Sequence, residues 1–259
     1  MKSLREEILT ALHSLGQSSE EASANSADLS GTELARFIDH TLLKAGATSL
    51  EIEKICQEAL LHRFASVCVN TSQIEKVASL LSGQSTTLPI AVVGFPLGAM
   101  DSKAKAAETR RAVELGAREI DMVIAIGSLK DRDYVRVESD IREVVQAASG
   151  HPVKVILETC LLSHEEKVIA CVVAKRAGAA FVKTSTGFST GGATLNDVKL
   201  MRRVVGPSLG VKASGGIRSR EDALQMIQAG ATRLGASSSV SIVGESSTPA
   251  PRSKSDSGY

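Results

Sequence analysis

Short apolar runs alternate with amphipathic stretches along most of the chain. Runs at Phe37–Leu42, Ser66–Val69, Ile90–Gly94, Glu119–Ile124, Val153–Leu157, Ala180–Lys183, Gly210–Lys212 and Thr232–Gly235 have the length of buried strands. The stretches between them carry a helical period: Leu50–Leu61, Lys103–Leu115, Asp133–Ala148, His164–Ala177, Leu195–Val205 and Arg220–Ala229. Leu115-Gly116-Ala117, Ala177-Gly178-Ala179 and Ala229-Gly230-Ala231 punctuate helix ends, where glycine takes the left-handed cap position at little steric cost. Eight strands alternating with helices predict a parallel (β/α)8 TIM barrel of the α/β class. A doubly wound open sheet is the alternative, and it too would place ligands at the C-terminal ends of its strands.

Ahead of these repeats, Leu4, Ile8, Leu12 and Leu15 fall near helical spacing, which predicts an extra N-terminal helix. Residues 16–31 are rich in Ser, Ala and Glu, and those from Gly244 to Tyr259 in Ser and Pro. The expected organisation is a helix with a flexible linker over 1–31, a barrel domain over 32–243 and a flexible tail over 244–259.

The 30 basic and 29 acidic residues nearly cancel, so the basic face of a nucleic-acid binder is not expected. With no Trp and 3% aromatics, base stacking is not expected either. The apolar runs are too short to span a membrane, and the acid-containing start does not read as a secretory signal. Cys56, Cys68, Cys160 and Cys171 show neither CxxC nor zinc-like spacing and read as thiols of a reducing cytoplasm. The five histidines are scattered, and no metal site is expected.

Two lysines stand out against this background. Lys183 and Lys212 each end an apolar run and open into a Gly/Ser/Thr loop, one strand–helix unit apart. An ammonium is costly to bury, and a second one nearby disfavours the charged form of the first. The pair therefore suggests an amine nucleophile. In a barrel the polar residues at strand ends gather on the C-terminal rim. They are Asp39, His40 and Thr41 on strand one, Cys68 and Asn70 on strand two, Asp121 on strand four, and Glu158 and Thr159 after strand five. A carboxylate beside two lysines makes a proton-transfer set. Ser214-Gly215-Gly216 and Gly235-Ala236-Ser237-Ser238 have the make-up of a phosphate cradle, and Val240–Val243 reads as a helix start behind the second. Cys68 reads either as a packed thiol or as a pocket wall.

In order and at matching intervals, a set of segments resembles the 2-deoxyribose-5-phosphate aldolases, a class I (Schiff-base) family. They include Phe37-Ile38-Asp39-His40-Thr41-Leu42-Leu43, Val67-Cys68-Val69-Asn70, Val93-Gly94-Phe95-Pro96-Leu97-Gly98 and Glu119-Ile120-Asp121-Met122-Val123. They continue with Lys154-Val155-Ile156-Leu157-Glu158-Thr159, Val182-Lys183-Thr184-Ser185-Thr186-Gly187-Phe188, Val211-Lys212-Ala213-Ser214-Gly215-Gly216-Ile217-Arg218 and Gly235-Ala236-Ser237-Ser238. The resemblance runs from about Leu34 to Val243 and implies a barrel.

It implies that Lys183 forms the Schiff base, that Lys212 perturbs it and shuttles protons, that Asp121 relays protons, and that Asp39 supports the lysine network. It also implies that Gly187, Gly215, Gly216, Ser237 and Ser238 surround a substrate phosphate. Gly235 and Cys68 are expected beside them at the substrate site, and Thr41 and Thr186 are expected to present pocket hydroxyls. The implied reaction is reversible cleavage of 2-deoxy-D-ribose 5-phosphate to D-glyceraldehyde 3-phosphate and acetaldehyde. The implied partners are small phosphorylated sugars and aldehydes. No metal or organic cofactor, nucleic acid or membrane is implied, and a homodimer or homotetramer is.

The first 33 residues carry none of these motifs. In some family members a C-terminal tyrosine assists proton transfer, which makes Tyr259 a candidate relay at the end of a tail without an apolar anchor. Two other readings are a Schiff-base lyase on another phosphorylated sugar and a non-catalytic phosphosugar-binding barrel.

Overall fold

The computed structural model describes residues 3–15, 29–83 and 86–244. The eight apolar runs form β1 Ile38–Leu42, β2 Ser66–Asn70, β3 Leu88–Val93, β4 Glu119–Val123, β5 Val153–Ile156, β6 Phe181–Lys183, β7 Gly210–Ser214 and β8 Arg233–Ala236. All pair in parallel in chain order, and β1 closes on β8 through Ile38↔Leu234, Asp39↔Gly235 and His40↔Ala236. The fold is therefore the barrel, not the open sheet. β7 runs two residues past its expected end, pairing with β8 through Ala213↔Leu234 and Ser214↔Gly235, and the Thr184 hydroxyl donates to Ser214 O and accepts from Ser214 N there, both at 3.0 Å. Lys212 thus sits inside a strand, paired in register with Lys183.

The helices are α1 Leu4–Leu15, α2 Gly31–Ala35, α3 Ser49–His62, α4 Ile74–Leu80, α5 Ser102–Glu114, α6 Ile126–Lys130, α7 Tyr134–Ala147, α8 His164–Arg176, α9 Leu195–Val205, α10 Arg220–Gln228 and α11 Ser239–Val243. Their starts follow from side chains that satisfy the free N–H groups of a first turn. Capping boxes pair Ser30 with Glu33, Thr48 with Glu51, Ser163 with Glu166 and Ser219 with Asp222. Asp101, Asp133 and Thr194 cap α5, α7 and α9. The short helices α2, α4 and α6 were not expected from periodicity. No helix among the described residues is long and apolar enough to cross a membrane.

Helix α1 lies on α8 and α9: Ile8 is buried, Glu7 pairs with Arg176 at 2.8 Å, and Arg203 donates to Leu15 O at 3.1 Å. Residues 16–28 of the expected linker, and the tail from residue 245 including Tyr259, lie outside the described residues.

The Gly-Ala punctuation acts as expected, with φ of +107° at Gly116, +91° at Gly178 and +109° at Gly230. A Cβ on Gly116 would also lie 2.6 Å from Ala78 Cβ, tying the end of α5 to α4. Gly116→Ala is expected to destabilise by more than about 1 kcal/mol, because the new side chain meets both backbone strain and a clash. Gly46, with open space around it and no positive φ, is the control: Gly46→Ala should be neutral or stabilising. Equal urea midpoints for the two variants would contradict this.

Strand alternation separates two environments. Val67, Val69, Ile120, Met122, Val155, Val182, Val211 and Leu234 belong to the apolar core shared with the helices. Their alternate neighbours fill the barrel, where branched apolar residues normally dominate. Here much of that space is charged.

Candidate active site

Three carboxylates and four cationic groups form one connected cluster inside the barrel. Asp121 is at its centre and fully buried. Its Oδ2 is 2.9 Å from Lys183 Nζ and 2.7 Å from Lys212 Nζ, and its Oδ1 is 2.9 Å from Lys154 Nζ. Lys212 reaches Asp39 Oδ2 at 2.5 Å, and Lys154 reaches Glu119 Oε2 at 2.5 Å. Arg233 closes the ring, 2.7 Å from Asp39 Oδ1 and 3.2 Å from Glu119 Oε1. Ser66 donates to Asp39 Oδ1 at 2.6 Å. Below the cluster, Lys154 and Arg233 lie 5.8 and 5.7 Å from the Phe181 ring centre. Gly210 leaves room for that ring, since a Cβ there would meet it at 2.0 Å.

The charges decide which lysine gives up its proton most readily. Asp39, Glu119 and Asp121 supply three negative charges, while Lys154, Lys183, Lys212 and Arg233 would supply four positive ones. Uncompensated charge is costly in a dry interior, so loss of one proton balances the cluster. Burial pulls Lys183 below the usual lysine range; the Asp121 carboxylate opposes this, and the Lys212 ammonium adds to it. Burial acts downward on Lys212 too, but Asp121 and Asp39 together outweigh it and raise its pKa. Lys154 is likewise raised against burial by Asp121 and Glu119. Burial would push Asp121 up, yet Lys154, Lys183 and Lys212 hold it well below the usual carboxylate range. Two adjacent lysines thus have their proton affinities driven apart, the arrangement that separates base from acid.

Beside the charges stands an apolar wall of Leu43, Cys68, Ile90, Val92 and Phe95, with Ile90 and Val92 in register with Glu119 and Asp121. Burial pushes the Cys68 thiol up to about 11, which keeps it protonated as a packing group at neutral pH. Phe95 and Phe188, from the loops after β3 and β6, meet edge to face at 5.2 Å. The β3 loop is fixed from outside: Glu108 accepts from Gly94 N at 2.9 Å and from Thr71 Oγ1 at 2.8 Å.

The expected residues are thus placed as follows. Lys183, Lys212, Asp121 and Asp39 come together. The Thr41 hydroxyl turns back to Asp39 O at 2.8 Å. Thr186 accepts from Phe188 N at 3.0 Å and donates to Glu158 Oε2, while Glu158 holds a left-handed φ of +58° at the end of β5. Both partners come from the surrounding chain, so the Thr186 hydroxyl shapes its own loop. Gly187, Gly215, Gly216, Ser237 and Ser238 follow the adjacent strands β6, β7 and β8 on the same rim. The first two of these loops are tied by Ala193 N to Gly215 O at 3.0 Å and by the Ser214 hydroxyl to Ser185 O at 2.7 Å. Gly216 is exposed, and a Cβ there would meet nothing within 4 Å. Gly235 leaves space for Lys212, whose Cε would lie 3.1 Å from an added Cβ. His40 points away from the charged cluster and packs against Phe64, ring centres 5.0 Å apart.

Sequence reasoning missed the roles of Lys154, Glu119 and Arg233. Their signal was a charge at alternate positions of strands whose other residues are apolar: Glu119-Ile120-Asp121, Val153-Lys154-Val155 and Arg233-Leu234.

Comparison with known proteins places the chain in a family. Residues 34–247 match the profile of the DeoC/LacD family aldolases. A deoxyribose-phosphate aldolase of Bdellovibrio bacteriovorus is 60% identical over 213 residues, covering 82% of this chain and 96% of the relative. One from Clostridium perfringens is 59% identical over 211 residues, covering 81% and 94%. Among solved structures, the tetrameric deoxyribose phosphate aldolase of Aeropyrum pernix superposes with a TM-score of 0.77 at 32% identity, covering 93% of this chain and 97% of that one. The chain belongs to the DeoC/LacD family of aldolases.

Proposed function

We propose that this aldolase reversibly cleaves 2-deoxy-D-ribose 5-phosphate to D-glyceraldehyde 3-phosphate and acetaldehyde through a Schiff base on Lys183. The relatives named deoxyribose-phosphate aldolase support the substrate. The observation that carries the mechanism is the charge count of the cluster, balanced when Lys183 is a free amine.

Neutral Lys183 Nζ adds to the C1 aldehyde of the open-chain sugar, giving a carbinolamine. Lys212, which keeps its proton, serves with Asp121 as the relay that protonates the departing hydroxyl. The resulting protonated imine draws electrons from the C2–C3 bond. As that bond breaks, the C3 hydroxyl loses its proton to a water held by Asp121 and Lys212, and glyceraldehyde 3-phosphate leaves. The remaining enamine takes a proton at C2, and water hydrolyses the imine to acetaldehyde and free Lys183. Asp39, Glu119, Lys154 and Arg233 keep the relay charged and oriented. The apolar wall excludes water and strengthens every interaction in the cluster.

The phosphate binds at the rim of β6–β8, where Gly187, Gly215 and Gly216 let backbone N–H groups approach an anion and Ser237 and Ser238 add theirs. The protein works in the cytoplasm as an oligomer of identical subunits.

The test is a substrate panel with acetaldehyde release followed by a coupled dehydrogenase. The expected result is acetaldehyde and glyceraldehyde 3-phosphate in equal amounts from 2-deoxyribose 5-phosphate. Cleavage of another phosphosugar with none from this one would move the assignment to a related lyase.

A further inference from the structure

His40 is buried and titratable, and the mechanism above does not use it. It lies between Asp39 and Thr41 on β1, but strand alternation sends its ring to the outer side of the barrel wall. There both ring nitrogens are engaged. Nε2 is 2.8 Å from Glu58 Oε2 on α3, and Nδ1 is 2.9 Å from Ser239 Oγ, at the first residue of α11. The Ser239 hydroxyl in turn lies 2.9 Å from Ala236 O, at the end of β8. Ser239 is fully buried, whereas Glu58 is partly exposed. A line of side chains therefore runs from the outer helix α3, along the outer side of the wall, to α11.

The place where this line ends gives it meaning. His40 and Ala236 are register partners in the β1–β8 pairing. Ser237 and Ser238 are the only residues between Ala236 and Ser239. The two serines are thus bracketed, one side by the strand pairing and the other by Ser239. Ser241 adds a further tie, donating to Ser238 O at 2.7 Å. With its first residue fixed to His40, α11 cannot shift without breaking a buried hydrogen bond, which is costly when one partner is left behind. Phe64 packs on the ring from the side and restrains its orientation.

We propose that Glu58, His40 and Ser239 are positioning residues that hold the Ser237–Ser238 backbone where it receives the substrate phosphate. The inference rests on the reading that this loop binds phosphate. None of the three side chains faces the lysine cluster, so their loss should affect recognition of the phosphate and leave the amine chemistry intact.

The experiment compares 2-deoxyribose 5-phosphate with unphosphorylated 2-deoxyribose. In Ser239→Ala and Glu58→Ala the KM for the phosphorylated sugar is expected to rise about ten-fold, with kcat held within about two-fold. The kcat/KM for 2-deoxyribose should stay unchanged. Glu58→Gln keeps an acceptor for Nε2–H and should restore the wild-type KM. Equal losses on the two sugars, no rise in KM in either alanine variant, or a Glu58→Gln variant as impaired as Glu58→Ala would overturn the proposal. Glu58 is partly exposed, so its variants remain informative if a change at buried Ser239 disturbs folding.

Ser238→Asp separates this inference from the reading beneath it. A carboxylate there should repel the phosphate and weaken only the phosphorylated sugar. A selective loss in Ser238→Asp with an unaffected Ser239→Ala overturns the positioning role alone. An unaffected Ser238→Asp removes the phosphate from this loop and overturns both.

Discussion

Lys183→Ala is expected to lose about 10⁴-fold or more in kcat while the protein keeps or exceeds its wild-type thermal stability. The first half follows from losing the nucleophile, for which no other amine is neutral: Lys212 and Lys154 are both held protonated by two carboxylates each. The second half follows from the charge balance. Removing a lysine that is already neutral leaves Asp39, Glu119 and Asp121 facing Lys154, Lys212 and Arg233, three against three. Asp121 keeps Lys154 and Lys212 as partners in the variant, so no buried carboxylate is left unpaired. Differential scanning calorimetry beside steady-state kinetics checks both halves, and a large drop in Tm would contradict the charge balance of the remaining cluster.

Lys212→Met is expected to lower activity near neutral pH by about 10²–10⁴-fold and to move the acidic limb of the kcat/KM profile to higher pH. Without Lys212, three carboxylates face only Lys154, Lys183 and Arg233, so balance now favours a protonated Lys183. The sign is fixed by the chemistry. Removing a neighbouring ammonium raises the Lys183 pKa, and catalysis needs the neutral amine, so activity returns as pH rises through the new, higher value. The recovery is partial, because the proton donor for the carbinolamine is also gone. A profile that keeps its wild-type shape, or moves to lower pH, would show that Lys212 does not tune Lys183.

The barrel was legible because its signals are local. Strand-length apolar runs, capping boxes and the Gly-Ala helix ends each act within a few residues. The three unforeseen helices are short, at 5, 7 and 5 residues, with too few turns to establish a period. The two lysines were legible because an ammonium at the end of an apolar run is costly without a use. Lys154, Glu119 and Arg233 escaped for a physical reason: a strand that alternates charged and apolar residues has the pattern of one half-exposed to water. Only closure of the barrel turns that polar face into an interior. Thr186 shows the same limit at the level of one bond, since its partner Glu158 is 28 residues away in the chain. His40, expected on the rim beside Asp39 and Thr41, was sent to the opposite face by the alternation of β1.

The role of Lys183 is tested most directly by borohydride trapping with 2-deoxyribose 5-phosphate or acetaldehyde, followed by peptide mapping by mass spectrometry. A stable reduced adduct is expected on Lys183 and none on Lys212 or Lys154. An adduct on Lys212 would invert the two lysines and contradict the charge argument, and a folded protein that binds the phosphosugar without forming any adduct would contradict the Schiff-base mechanism itself.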